Sequence, residues 1–384
     1  METESERMAK EAKYTQHTDE LFGLIAELCS LPTVSGHEYM SADKIRKLSQ
    51  SYADGFFDYS EITPSGSVLL WHHSKHDNAK TLLLDAHLDT VGFAVSEILD
   101  GGFVRLENVG GIDTAVLKGC EIEIYGKEKL RAFFSSVPPH LSKLKNSDEA
   151  EKVSDTFADT GLSTEECKRL IAIGTPCGYV PKTLRLMGNR ISSVSLDDKI
   201  CIASVLSAAR LLSEEQIENI NVCVQLSTGE ERGAKGAGAT HFAVKDAAEC
   251  IVLDVNFAKE AKSTPGSYIE MEKGAGLSLS ACTSRELTDR IYSVAMKKGI
   301  PCQRIVELCD TGTNAQVIAR VGTGIKCAVL SIPVKYMHTS VETASLDDVV
   351  YCAQVLCEYI KHSDKNGISI PVYNYKEGGH GKNA

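Results

Sequence analysis

Apolar residues follow two rhythms along this chain. From Thr18-Asp19-Glu20, a capping sequence, Leu21, Leu24, Ile25 and Leu28 recur at the spacing of one helical face, until Pro32 and Ser35-Gly36 stop the pattern. The second rhythm is a set of short continuous apolar runs. Thr81–Leu84, Asn221–Leu226, Cys250–Leu253 and Cys327–Ile332 read as strands buried on both faces. Amphipathic stretches such as Ile200–Leu212 and Glu286–Lys298 lie between them. Buried strands alternating with helices predict an α/β fold, a layered sheet covered by helices on both faces.

The rhythm breaks at about 95–190, where glycines, turn signals and short alternating pieces such as Phe103–Leu106 and Glu121–Tyr125 predict a small β-rich unit inserted into the α/β domain. The expected organisation is therefore a flexible N-terminus (1–17), an α/β domain made of 18–94 and 191–372, the insert, and a flexible glycine-containing tail (373–384). Within the insert, Leu141–Glu151 is charged and reads as a loop or surface helix.

Composition narrows the function. The 384 residues are 43% hydrophobic and carry a formal net charge of −11, which disfavours a nucleic-acid partner. No run reaches the ~18 apolar residues of a membrane span. Met1-Glu2-Thr3-Glu4-Ser5-Glu6-Arg7 carries acids and no apolar core, unlike a secretory or transit leader. The 13 cysteines occur singly, several inside apolar runs (Cys223, Cys250, Cys327), as expected of thiols in a reducing, cytoplasmic setting.

Five places put metal-binding side chains at or near the ends of apolar strands: His87 and Asp89, Asp197-Asp198, Glu230-Glu231, Asp254, and His338. In open α/β sheets the functional crevice lies beyond the carboxyl ends of the strands, so these five can converge. Imidazoles and carboxylates without cysteine suit zinc, cobalt or manganese in a working site rather than a structural zinc knot. Blander readings stand beside this one. Paired acids favour helix N-termini, where Asp198 reads as a helix-start residue, and Asp254 could be an N-cap. His72, His73 and His76 read as a surface loop, His140 as structural, and His241 has no evident partner. Gly233, Gly236 and Gly238 lack the lysine-serine ending of a phosphate loop and read as a turn into a helix.

In one order, His87-x-Asp89, Asp197-Asp198-Lys199, Glu230-Glu231, Asp254 and Tyr336-Met337-His338-Thr339 resemble the glutamyl-aminopeptidase or tetrahedral-aminopeptidase family. The resemblance runs from about Leu21 to Leu356 and includes Pro32–Glu38, Gly110-Gly111-Ile112-Asp113, Pro138-Pro139-His140-Leu141, Asp159-Thr160-Gly161 and Gly229–Gly233. It implies a zinc-peptidase-like fold with a mixed, largely parallel sheet, and a barrel or PDZ-like insert. It also implies two divalent ions per subunit, with Zn2+ first and Co2+ or Mn2+ as alternatives. Asp197 would bridge them, His87 and Asp254 completing one site and Glu231 and His338 the other. Glu230 would be the general base, and Asp89 would accept a hydrogen bond from the far nitrogen of His87. Short peptides with a free N-terminus are the implied substrates, and a homo-oligomer, a dodecamer built from dimers through the insert, is the implied assembly.

Three positions depart from the family. Thr311-Gly312-Thr313-Asn314 replaces the usual Gly-Gly-Thr-Asp, Lys199 stands where arginine is common, and Arg232 where a small apolar residue is common. Two other activities compete: a metal-dependent deacylase or carboxypeptidase on the same scaffold, and a glycoside hydrolase, which would leave both imidazoles unexplained and gain little from one tryptophan.

Overall fold

The computed structural model describes residues 4–368, apart from 136–151, 241–242, 245–246, 308–309 and 323, with side chains described from residue 15. Pro138–Leu141, the charged stretch at 141–151, His241 and the tail at 373–384 therefore lie outside the described residues.

At the centre of the large sheet, four strands run parallel in the order Ile220–Ser227, Lys80–His87, Ala247–Phe257 and Lys326–Lys335. Antiparallel strands flank them: Val68–His72 and Tyr59–Ile62 on one side, then Glu342–Ser345, Arg190–Ser193 and Leu184–Leu186 on the other. The sheet is thus mixed and largely parallel at its core, as expected. Successive side chains of a strand point to opposite faces. Leu82 and Leu84 accordingly join the main core under the helices Leu196–Leu212 and Leu346–Asn366, while Leu83 joins a smaller core on the other face with Ala237, Ala315 and Ile318. Helix Leu196–Leu212 is buried almost all round, because it lies between the sheet and the outer helices.

The insert is a closed six-stranded barrel running from Gly92 to Tyr179, with its own core built on Phe93, Val104, Ile122, Ile124 and Phe134. The sequence boundary at 190 is late. Leu184–Leu186 and Arg190–Ser193 form a hairpin on the edge of the large sheet instead, because Ile191 buries itself in the main core. The other difference is at the start. The first helix spans Glu4–Ser30 rather than beginning at Thr18, so residues from Glu4 continue it as backbone. Residues 4–17 lack an apolar stripe, but Ala, Glu, Lys, Met and Arg are strong helix formers, and propensity carries the helix upstream.

Candidate metal centre and active site

The parallel strands bring their carboxyl ends to one edge of the sheet. His87 ends Lys80–His87 in register with Ser227, the last residue of Ile220–Ser227, and Glu230-Glu231 follow in the next turn. Asp254 lies on Ala247–Phe257 opposite Ser331 of Lys326–Lys335, and His338 follows that strand. Asp197 and Asp198 open the buried helix Leu196–Leu212, joined by a cis peptide bond. All five sites singled out in the sequence therefore meet.

Asp197 is the hinge of the cluster. Its Oδ1 lies 2.9 Å from His87 Nε2 and its Oδ2 lies 3.2 Å from His338 Nε2. His87 Nε2 is also 3.8 Å from Asp254 Oδ1, and His338 Nε2 is 3.4 Å from Glu231 Oε1. Two groups of ligand atoms result, each gathered within 4.8 Å: His87, Asp197, Asp198 and Asp254 in one, and Asp197, Glu231 and His338 in the other. Asp198, read from sequence as the start of a helix, thus also belongs to the first group.

The charges of this cluster are unbalanced. Burial raises the Glu231 carboxyl to about 8 and the Glu230 carboxyl to about 7, with the Asp197 charge adding to both. Burial and the neighbouring Asp198 push Asp254 well above the carboxylate range. Burial works against ionised Asp197 too, but hydrogen bonds from His338 and His87 outweigh it and hold this carboxyl low. Burial opposes a charge on His338, yet Asp197 and Glu231 bring it up to about 9. One further buried acceptor, Asp198 Oδ1, has no hydrogen-bond partner. A buried excess of acids, two imidazoles, an orphaned carboxylate oxygen and no thiolate make a donor set that fits divalent cations.

A second tier of buried carboxylates fixes the backbone of these residues. Asp89 accepts from the amides of Glu230 (2.9 Å, Oδ1) and Glu231 (3.2 Å, Oδ2). Glu342 does the same for Asp197 (3.1 Å) and His338 (2.7 Å), and Asp198 Oδ2 accepts from His87 N at 3.1 Å. The resemblance assigns the orienting of His87 to the Asp89 side chain; His87 Nδ1 lies nearer the Asp89 carbonyl, at 3.0 Å, than its carboxylate, at 3.6 Å. Glu342 was not singled out in the sequence. Its only signal is an acid four residues after His338, at the head of the short strand Glu342–Ser345.

The barrel reaches the site as well. A Cβ on Gly111 would lie 3.2 Å from His338 Nδ1, so this glycine lets the barrel edge pass close to the imidazole. The other described histidines stay outside these two groups. His72 ends a strand rather than sitting in a loop, with its ring nitrogens 2.8 Å from the Phe56 and Ile217 carbonyls, and His73 pairs with Asp58. Over the cluster opens a cavity of about 870 Å3.

A parallel-sheet edge carrying two histidine–carboxylate groups around one shared aspartate is a donor set that could hold divalent metal, as in a metallopeptidase. Residues 66–355 match the M42 glutamyl aminopeptidase family, and the chain belongs to that family. It is an aminopeptidase, a hydrolase of peptide bonds. It is 30% identical to the lysyl aminopeptidase of Pyrococcus furiosus over 89% of this chain and 98% of the relative. Among solved structures, the TET aminopeptidase of the marine sediment archaeon Thaumarchaeota archaeon SCGC AB-539-E09 superposes with a TM-score of 0.83 at 24% identity, covering 92% of this chain and 100% of that one. The TET1 peptidase of Pyrococcus horikoshii, which can assemble into a tetrahedron or a large octahedral shell, gives 0.75 at 25% identity over 88% and 99%. No described helix is long and apolar enough to cross a membrane.

Proposed function

We propose that the chain removes single residues from the N-terminus of short peptides, with two divalent cations shared across Asp197. The observation that carries this reading is that the two oxygens of one buried carboxylate face two different imidazoles. His87 and Asp254 would complete one ion site, Glu231 and His338 the other, with Asp198 close behind the first. Zn2+ suits this donor set best, and Co2+ or Mn2+ would fit it too. Such a pair supplies Lewis acidity towards the scissile carbonyl and a water easier to deprotonate.

The protein's own part is positioning and proton transfer. Glu230 lines the cavity beside the ligands, its backbone fixed by Asp89. It is the general base: it takes the proton of the attacking water and delivers it to the leaving amine. The acidic surroundings suit the positively charged amino group of a peptide N-terminus. A deacylase acting on blocked amines would meet the same acids without that complementary charge.

The barrel would carry assembly. The P. horikoshii relative forms closed shells, and we infer a homo-oligomer here, a dodecamer built from dimers, whose enclosure admits short peptides and excludes folded proteins. Twelve described cysteines are free thiols, which suits the cytoplasm.

Metal analysis after exhaustive dialysis tests the ligand assignment. Two ions per chain are expected, with His338→Ala and Asp254→Ala each losing metal; two ions retained in both variants would contradict it. Light scattering behind size exclusion tests the assembly, and a fully active species at the 41.6 kDa chain mass would contradict it.

A further inference from the structure

We propose that Glu307 selects a cationic side chain, lysine or arginine, as the residue removed; this rests on the aminopeptidase reading above. Glu307 lines the cavity over the metal-binding cluster. It directly follows strand Cys302–Val306, and its backbone is fixed by a 3.0 Å hydrogen bond from its amide to the Leu279 carbonyl. Asn256 Nδ2 donates to its Oε1 at 2.8 Å. Asn256 stands two residues beyond Asp254 on the same strand, so both point to the same face, roughly 7 Å apart along it. The carboxylate is thereby tied to the strand face that carries Asp254.

Its second oxygen, Oε2, is covered beside Ser278, so the described groups that stabilise the charge of this carboxyl, Asn256 and Ser278, are neutral. A half-buried carboxylate with no cationic partner among the described residues is held at a cost, and a cationic group entering the cavity offsets that cost. The rest of the wall fits such a donor. Ile305, Val306, Phe257 and Met337 offer apolar surface for a methylene stem, and Asp310 adds a second acid. Among the described residues lining the cavity there is no lysine or arginine. An acidic first side chain would face Glu307 and Asp310 with no counter-charge. With the free amine beside the ions, the first side chain is the part of the substrate that projects into this space.

The test measures kcat/KM of the metal-loaded protein on the p-nitroanilides of Lys, Arg, Leu and Glu, in wild type, Glu307→Gln and Glu307→Lys. Wild type should prefer Lys and Arg over Leu, and Leu over Glu. A charge-assisted hydrogen bond is worth roughly a tenfold preference or more, so the Lys-to-Leu ratio should drop at least about tenfold in Glu307→Gln. Glu307→Lys should move the preference towards Glu. A second arm needs no turnover: calorimetry should show L-lysine binding wild type about tenfold tighter than L-norleucine, its uncharged counterpart, with the gap closed in Glu307→Gln. An unchanged Lys-to-Leu ratio in Glu307→Gln, or a wild type that favours Glu, overturns the proposal. If no anilide is cleaved, the aminopeptidase reading fails, and the lysine–norleucine comparison still decides whether Glu307 recognises a cation.

Discussion

The side-chain amide of Asn314 donates to Asp85 Oδ2 at 2.8 Å, and the same nitrogen lies 2.8 Å from Ser227 Oγ. Asp85 is fully buried two residues before His87, and Gln225 donates to its other oxygen at 2.8 Å. Burial raises the Asp85 carboxyl to about 6, while the bonds from Asn314, Ser227 and Gln225 favour its charged form. This explains the departure at position 314. The aspartate usual in the family would face a second buried carboxylate, whereas asparagine supplies the donor that Asp85 requires. Asn314 thus acts beneath the His87 strand.

Asn314→Asp should therefore destabilise the protein by about 2 kcal/mol or more, because it removes a donor and opposes two buried acids. Urea unfolding at neutral pH measures this. A midpoint equal to wild type would show that Asp85 does not depend on the amide.

Glu230→Gln should keep its metal yet lose at least about 100-fold in turnover, the low end for a positioned acid–base group. The substitution spares the Glu230 amide bonded to Asp89, so the turn stays in place. Wild-type rates with a full metal complement would remove Glu230 from the role of base.

Glu342 holds the backbone of both Asp197 and His338, and Glu342→Ala frees both amides. Metal affinity should weaken by about 10- to 100-fold, the usual effect of losing a residue that orients ligands. Competition with a chelator of known affinity reads the change. Unaltered affinity would mean that the neighbouring packing alone suffices to hold the two ligands.

Gly236 sits where any side chain collides: an added Cβ would lie 2.4 Å from both the carbonyl oxygen and Oγ1 of Thr228. Gly236→Ala should lower stability by about 1–3 kcal/mol and disturb the turn carrying Glu230. Thermal unfolding checks the first effect, and an unchanged Tm would contradict the close packing.

Much of this was legible in the sequence because metal chemistry restricts residue types. The buried strands announced themselves as unbroken apolar runs, and their ends carried His87, Asp254 and Glu230-Glu231. Of the glycines after Glu231, read as a turn into a helix, Gly233 closes the turn and Gly236 and Gly238 lie within Lys235–Ala239. What escaped has physical causes. Glu342 and Asp85 act on neighbours far along the chain, and no periodicity reports such pairings. Asp89 binds the Glu230-Glu231 backbone, a contact set by strand register rather than by a motif. The barrel's end is hidden in the sequence, because Arg190–Ser193 looks like any short strand until its pairing with Glu342–Ser345 is seen.

In the proposed reaction a free N-terminal amine is read beside a cation pair at Asp197. The most direct measurement compares a short peptide with its N-acetylated form, using protein stripped of metal and reloaded with Zn2+, Co2+ or Mn2+. Stepwise release of single residues is expected from the free peptide, none from the acetylated one, and no activity in stripped protein. Equal cleavage of both peptides, or full activity without metal, would contradict it.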